Sequence, residues 1–374
     1  MTPERKVLIY GANGYTGKLV AESLARRRIP FFFAGRSRDK LDAALAIVRD
    51  RLGADAWKLD AVVVVVENTM DALLPQLRGC SVVINVAGPF MQVAWPVVEA
   101  ALQAGCHYID TTGEQDWVRA IADRYGPAFA ERGLLLAPAT AFMWTAGALA
   151  AEVVLEDPEI DSLDILYQVD NALPSVASTK SFLRMACNDK SQYFLEHGEY
   201  KAWQNDVAHE VFAPYRHVKM RAHPWGGGCE PVWFKGRVRN CRVLTVVGDQ
   251  LIDGILQAIR GFNAQAAGLD QAGREALTNA IGDQINTGEP PKDDVDVQRG
   301  VIVVYGQGRT KTTRHVMNLS AAYTWTGEIC AESAQRILEG RLERAGFQSA
   351  ATAFGHRQLI RTFNVGGFCS ALPG

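Results

Sequence analysis

The stretch Val7-Leu-Ile-Tyr-Gly11-Ala-Asn-Gly14-Tyr-Thr-Gly17-Lys-Leu-Val20 decides the fold of this 374-residue chain. Four apolar residues read as a buried strand, glycines recur at three-residue spacing, and a helical pattern opens behind them. Gly11 permits a tight turn, Gly14 lets the backbone approach a diphosphate, and Gly17 lets the helix pack close to the strand. The helix start adds unsatisfied N–H groups and a partial positive charge, both attractive to phosphate. Strand, turn and helix in this order predict a dinucleotide site over Gly11, Asn13, Gly14, Tyr15, Thr16 and Gly17.

Outward from this motif, short apolar runs alternate with helical patterns. Strands are expected at residues 6–10, 30–34, 57–60, 81–86, 107–110 and 134–137, and helices at 16–27, 38–52, 95–104 and 115–131. The five valines at 62–66 fit either a strand or part of a crossover. This rhythm predicts an α/β fold, a Rossmann doubly wound parallel sheet. Beyond residue 150 the β-type segments lengthen, at 161–169, 232–247 and 301–326. Helical patterns at 179–187, 251–262 and 271–281 punctuate them. An inserted α+β domain with a mixed or antiparallel sheet is therefore expected. Residues 288–296 read as a loop, and a helix at 331–345 returns the chain to the first domain. The expected domains are 1–148, 149–326 and 327–374.

Lys plus Arg number 39 and Asp plus Glu 41, a net charge of −2, so no global field calls for nucleic acid or an anionic membrane. The seven cysteines are scattered without a C-x-x-C pair, and a chain that runs straight into its first strand is expected to carry no secretory leader. Free thiols in a reducing cytoplasm follow. Residues 133–151 carry no charge, but Pro138, Thr140 and Thr145 make them a strand, a loop and a helix rather than an integral membrane span. The histidines show no paired ligand spacing, so no metal is expected.

A dinucleotide site selective for NAD carries a carboxylate near the end of the second strand. This chain has Gly35-Arg36-Ser37-Arg38 there. Two guanidiniums and a hydroxyl suit a 2′-phosphate, which points to NADP(H). Asp60, at the expected end of the third strand, faces the adenine in this reading or caps a helix. Ala87, Gly88, Pro89 and Phe90 follow the fourth strand, and a small-residue turn there admits the nicotinamide ribose. Thr112, after the fifth strand, lines the same cleft, whereas Asp110 and Glu114 read as helix caps.

Hydride transfer needs an orienting site and a proton donor. Tyr167 on the first middle-domain strand and Lys180 at the start of the next helix are the catalytic candidates. Ser178 and Thr179 at that helix start would hold a carbonyl or carboxylate, although core packing for Tyr167 and a capping role for Ser178 are the plainer alternatives. Phe142, Trp144 and Trp225, with Trp233 and Phe234, would supply apolar substrate walls. His223-Pro-Trp225-Gly-Gly-Gly228 reads as a flexible loop able to close over a site, its histidine at the surface.

These residues resemble a known family. Val7–Val20, Gly35-Arg36-Ser37, Val86-Ala87-Gly88-Pro89-Phe90 and especially Val97–Glu114 are similar to the saccharopine dehydrogenase-like oxidoreductases. Within that group the trans-acting enoyl reductase-like branch is the nearest, and Tyr323-Thr-Trp-Thr-Gly327-Glu also looks like it. The resemblance is specific over about residues 5–140 and 320–360. It implies an NADP-dependent reductase with a Rossmann domain and an inserted domain that shapes the substrate site and often a homodimer interface. Two departures bear on the substrate. Ala137-Pro-Ala-Thr-Ala-Phe-Met-Trp144 replaces a glycine-containing turn with a bulkier wall. The middle domain has no arginine cluster suited to a tricarboxylic substrate, and Arg237, Arg239 and Arg242 alternate as on a solvated strand.

The expected activity is NADPH-dependent reduction of a C=C or C=O bond in a fairly apolar small molecule. The alternatives are C=N reduction of the saccharopine type and non-catalytic NADP(H) sensing of the NmrA-like type. Tyr215 and Lys219 match the spacing of the short-chain dehydrogenases, but they lie beyond the nucleotide half and no serine stands about a dozen residues upstream, so chance explains them.

Overall fold

The computed structural model describes residues 6–171, 173–188, 191–212, 218–246, 248–285 and 288–371. Two compact units divide the chain. The first takes the described residues of Met1–Thr112, Trp117–Thr145 and Tyr323–Gly355, and the second those of Gly113–Asp116, Ala146–Ala322 and His356–Gly374. The final helix and strand thus belong to the second unit, where the sequence had placed them with the first. Tyr215 of the short-chain-like spacing lies outside the described residues.

The first unit is built on strands β1 (Val7–Tyr10), β2 (Phe31–Gly35), β3 (Ala61–Val65), β4 (Val82–Asn85), β5 (His107–Asp110) and β6 (Leu135–Ala137). With Gly346–Phe347 beside β6, they form one seven-stranded sheet ordered Gly346–Phe347, β6, β5, β4, β1, β2, β3, and every pairing is parallel. This is the doubly wound order, reversing direction at β1 and β4. Strands β1 and β4 are buried throughout because helices cover both faces of such a sheet, which is why they read as unbroken apolar runs.

The third strand corrects the sequence reading. Residues Gly53–Lys58 form a 3-10 helix, and the valine run is the strand. As the sheet's edge, β3 leaves Val62 and Val65 exposed. Its mixed burial explains why neighbouring charges obscured it. Asp60 then sits at the amino end of β3, where its carbonyl accepts from Phe31 N at 3.1 Å. Ligands of parallel sheets lie beyond the carboxyl ends, so Asp60 is on the wrong side for an adenine.

The second unit centres on the long strand β7 (Ile160–Asp170), parallel to Asn240–Val246 and antiparallel to Arg299–Gly308. Arg299–Gly308 pairs in turn with Thr312–Leu319, which pairs with Cys369–Ala371. The sheet is mixed. Helices Val176–Ala186, Asp249–Gln265 and Gln271–Ile285 belong to this unit, and Phe262, Ile255 and Ile259 join Cys187 in one buried cluster. Two expected β segments include helices: Glu230–Trp233 precedes its strand, and Ala322–Leu338 follows the last long hairpin. No helix among the described residues is long and apolar enough to cross a membrane, and the uncharged 133–151 stretch divides into β6, a turn and the helix Phe142–Val154.

Candidate nucleotide site and the substrate-side residues

The glycine turn is tightly determined. Gly11 holds φ at +81°, and a Cβ there would stand 2.9 Å from Ala87 N. Gly11 N and Ala12 N both donate to Ala34 O at 3.0 Å, tying the turn to β2. At Gly17 a Cβ would stand 2.4 Å from Ala12 O, so only glycine lets helix α1 (Tyr15–Arg26) start this close to the turn. Gly14 is the N-cap and brings no side-chain acceptor, and the first turn holds no acid. Its N–H groups and positive dipole end meet no competing carboxylate from the helix itself. Lys18 Nζ reaches back to Asn13 O and Gly14 O at 3.2 and 3.1 Å, fastening the turn from beneath.

The carboxyl end of β2 carries Arg36, Ser37 and Arg38. Arg36 is exposed and has no hydrogen bond or ion pair among the described residues. Ser37 caps helix Arg38–Leu52 by accepting from Lys40 N, and Arg38 bonds Asp42 at 2.8 Å. Such an exposed i,i+4 pair contributes only about 0.3–0.5 kcal/mol, so Arg38 can turn to a phosphate at little cost. Arg36 is the unengaged cation of the pair. Burial raises the pKa of the Tyr10 phenol, Arg36 opposes that shift, and Glu67 beyond β3 adds to it.

Beyond β4, Asn85 shapes the turn. It accepts from Ala87 N at 3.1 Å and donates to the Tyr108 hydroxyl at 3.1 Å, and the Gly88–Pro89 peptide is cis. Phe90 is buried and opens the short helix Phe90–Val93. Beyond β5, the Asp110 carboxylate accepts from Tyr108 Oη (3.0 Å), Trp117 Nε1 (2.8 Å), Thr112 N (3.0 Å) and Ala139 N (2.9 Å). Complete burial pushes it up to about 6, against these four donors. Asp110 is a buried tie between the ends of β5 and β6 rather than a helix cap. Gly11–Gly17, Arg36, Ala87–Phe90 and Thr112 all stand at the carboxyl ends of the strands, the edge where this sheet type binds ligands. The residues fit a dinucleotide bearing a 2′-phosphate.

The expected substrate walls fare differently. Phe142 is buried edge-on against Trp325, with centroids 6.1 Å apart, and its N–H donates to Thr326 Oγ1. Trp144 has no exposed surface. Both rings are core of the first unit and present nothing to a ligand.

In the second unit Tyr167 is fully buried. Its hydroxyl donates to Glu230 Oε1 at 2.7 Å and accepts from Gly147 N at 2.8 Å. Burial raises its pKa well above the usual tyrosine value, and the neighbouring Glu230 adds to that. Lys180 pairs with Asp283. Tyr167 is therefore not placed as a proton donor, whereas the pair with the exposed Asp283 does not by itself hold Lys180 away from a ligand. The helix start beside Lys180 is also occupied: Ser175, not Ser178, is the N-cap, accepting from Ser178 N at 3.1 Å, while Val176 N donates to Glu289. The Ser178 hydroxyl accepts from Ser175 Oγ at 3.0 Å.

The glycine-rich loop is tied into the second unit by hydrogen bonds. Gln115 Nε2 donates to Gly227 O (3.1 Å) and Gly228 O (2.6 Å), and Gly226 N donates to Gln192. Gly226, Gly227 and Gly228 all adopt positive φ. His223 is wholly buried, bonded to Asn205 O and Trp225 N, and burial lowers its pKa. Trp225 stacks on Phe182 at 4.2 Å. The sequence reading missed the ion cluster of Arg184 with Glu114 and Asp116, which Ser181 completes through Glu114. A lone arginine in a helix gives no local sign that distant acids will bury it.

A parallel sheet with a glycine turn at its switch point, its helix N-terminus turned to phosphate, defines the class of dinucleotide-binding Rossmann folds, and Arg36 in place of a carboxylate points it to NADP(H). Residues 7–130 match the saccharopine dehydrogenase NADP binding domain. Residues 145–371 match the family described as "Family of unknown function (DUF5938)", and the chain belongs to that family. It is 28% identical over 145 residues to a saccharopine dehydrogenase-like oxidoreductase of Mus musculus, covering 36% of this chain and 34% of that one. It is 28% identical over 233 residues to a trans-acting enoyl reductase of Mycobacterium ulcerans (strain Agy99), covering 58% and 54%. The matches thus span from about a third to about half the length of these relatives. The solved apo saccharopine dehydrogenase (L-Glu forming) from Saccharomyces cerevisiae shares the fold, with a TM-score of 0.60, 11% identity and 98% and 99% of the two chains covered.

Proposed function

We propose that this protein is an NADPH-dependent reductase acting on a C=C or C=O bond of a fairly apolar small molecule. The observation that carries the reading is the unengaged Arg36 guanidinium at the end of β2, where an NAD site would place a carboxylate. Gly11–Gly17 and the start of α1 hold the diphosphate, Arg36 with Ser37 and Arg38 the 2′-phosphate, and the Ala87–Phe90 turn and Thr112 the nicotinamide ribose. When bound, NADPH supplies the hydride. The chain's own contribution is to orient and to exclude water. Tyr167 does not enter as a reacting group, because its hydroxyl is buried and bonded to Glu230 and Gly147.

The relative named as a trans-acting enoyl reductase favours the C=C bond. A screen of NADPH oxidation with enones, ketones and preformed imines tests this. Enone turnover supports the proposal, and imine turnover alone replaces it with the saccharopine-type reaction. Cofactor binding without turnover of any class leaves a sensor. We propose in addition that the protein is a cytoplasmic homodimer; light scattering on the purified chain tests the dimer.

A further inference from the structure

One face of the second unit's sheet holds a groove of about 640 Å³ that the reductase reading does not use. Its floor is two rows of in-register side chains. Arg242, Asp164, Tyr305 and Arg314 lie side by side on four consecutive strands, and Asn240, Ser162, Gln307 and Thr312 form the next row. Side chains two apart on a strand share a face, so all eight point the same way.

The two halves of this floor differ. On one side the groups satisfy each other: Arg242 bonds Glu196 at 3.0 Å, Asn240 donates to Ser162 at 2.9 Å, and His197 N donates to Asn240. On the other side the side chains of Asp164, Tyr305, Gln307, Thr312 and Arg314 make no hydrogen bond or ion pair among the described residues, although Arg242 is the in-register neighbour of Asp164. Asp164 and Arg314 carry opposite charges, yet the Tyr305 strand stands between them. Two strand spacings of about 4.8 Å separate their backbones by roughly 10 Å, too far for the short aspartate to meet the guanidinium. The surrounding sheet pushes the Asp164 carboxyl up from its usual range, and Arg242 offsets this only in part.

An unpaired anion and an unpaired cation at fixed separation, with a phenol, an amide and a hydroxyl around them, complement a ligand that carries both charges. We propose that this groove binds a small zwitterion whose amine and acid lie several bonds apart, the ammonium on Asp164 and the acid group on Arg314 beside Tyr305. A free ω-amino acid and the terminus of a short peptide present the same chemistry.

The test is calorimetric titration of the full-length protein with 6-aminohexanoate, with hexanoate and hexylamine as single-charge controls, glycine as a zwitterion too short to span, and diglycylglycine for the peptide source. The zwitterion of full span is expected to bind at least tenfold more tightly than either single-charge control or glycine. Asp164→Asn and Arg314→Gln each lose tenfold or more, and both exposed positions leave the fold unchanged by circular dichroism. Tighter binding of the tripeptide than of 6-aminohexanoate assigns the site to peptide termini. Equal affinity for zwitterion and controls, or no heat with any probe, overturns the proposal using the unaltered protein alone. Dimerisation that Arg314→Gln abolishes, without ligand binding, gives the face to a second copy instead.

Discussion

Replacing Glu230 by glutamine tests the buried heart of the second unit. Its Oε1 accepts from Tyr167, while Oε2 is buried without a hydrogen-bond partner, close to where a Cβ on Gly228 would stand (2.8 Å). Burial pushes this carboxyl up to about 8 from 4.5. The folded state therefore keeps the proton while the unfolded chain releases it above its own lower value. Between those values the unfolded state binds fewer protons, so stability falls as pH rises. With 1.36 kcal/mol per pH unit, the penalty is near zero below pH 4.5, about 3 kcal/mol near pH 7, and roughly 4–5 kcal/mol above pH 8. Glutamine keeps the shape and the acceptor for Tyr167 and has no proton to lose. Its amide hydrogens meet the same unpartnered space as the protonated acid, which limits the gain by about 1–3 kcal/mol. Urea unfolding from pH 5 to 9 is the assay. The expected result is a variant that matches or trails the parent at pH 5 and exceeds it progressively toward pH 9. Parallel pH dependence of the two proteins would refute the buried-acid argument.

Three further outcomes follow from the same geometry. Gly17→Ala drives a methyl to 2.4 Å from Ala12 O, so the turn must open; NADPH affinity is expected to fall at least a hundredfold in a titration, and an unchanged affinity would contradict the close packing. Arg184→Met leaves Glu114 without its cation and Asp116 without its two bonds, and thermal unfolding should show about 3–5 kcal/mol of lost stability. Asp110→Asn turns one of the acceptors of Tyr108, Trp117, Thr112 N and Ala139 N into a donor facing donors. A loss of about 2–4 kcal/mol in denaturant unfolding is expected, and a neutral result would mean that the β5–β6 tie is slack.

The first unit was largely legible because its structure is local. The helices at Arg38–Leu52, Trp95–Ala104 and Gln115–Glu131 and the strand His107–Asp110 sit where periodicity and punctuation put them. The third strand failed at an edge, where half-exposed valines carry no burial signal and a 3-10 turn imitates the preceding residues. The cofactor end was readable for the same reason as the fold: glycine spacing is a backbone requirement, visible in one short segment. The substrate side was not. Whether Tyr167 meets a ligand or Glu230 depends on a partner 63 residues away, and whether His223 is exposed depends on how Asn205 returns to it. Aromatic residues after β6 read equally as wall or core, and packing against Trp325 decided for core.

The central claim is that the glycine turn and Arg36 together make an NADP(H) site, and a fluorescence titration with NADPH and NADH on the parent, Arg36→Ala and the Arg36→Ala, Arg38→Ala pair tests it most directly. The account expects the parent to prefer NADPH, with about tenfold of that preference, or 1.4 kcal/mol, lost in the single variant, more in the double, and NADH affinity unmoved. Equal affinity for both cofactors, or a preference that survives the double variant, would contradict it.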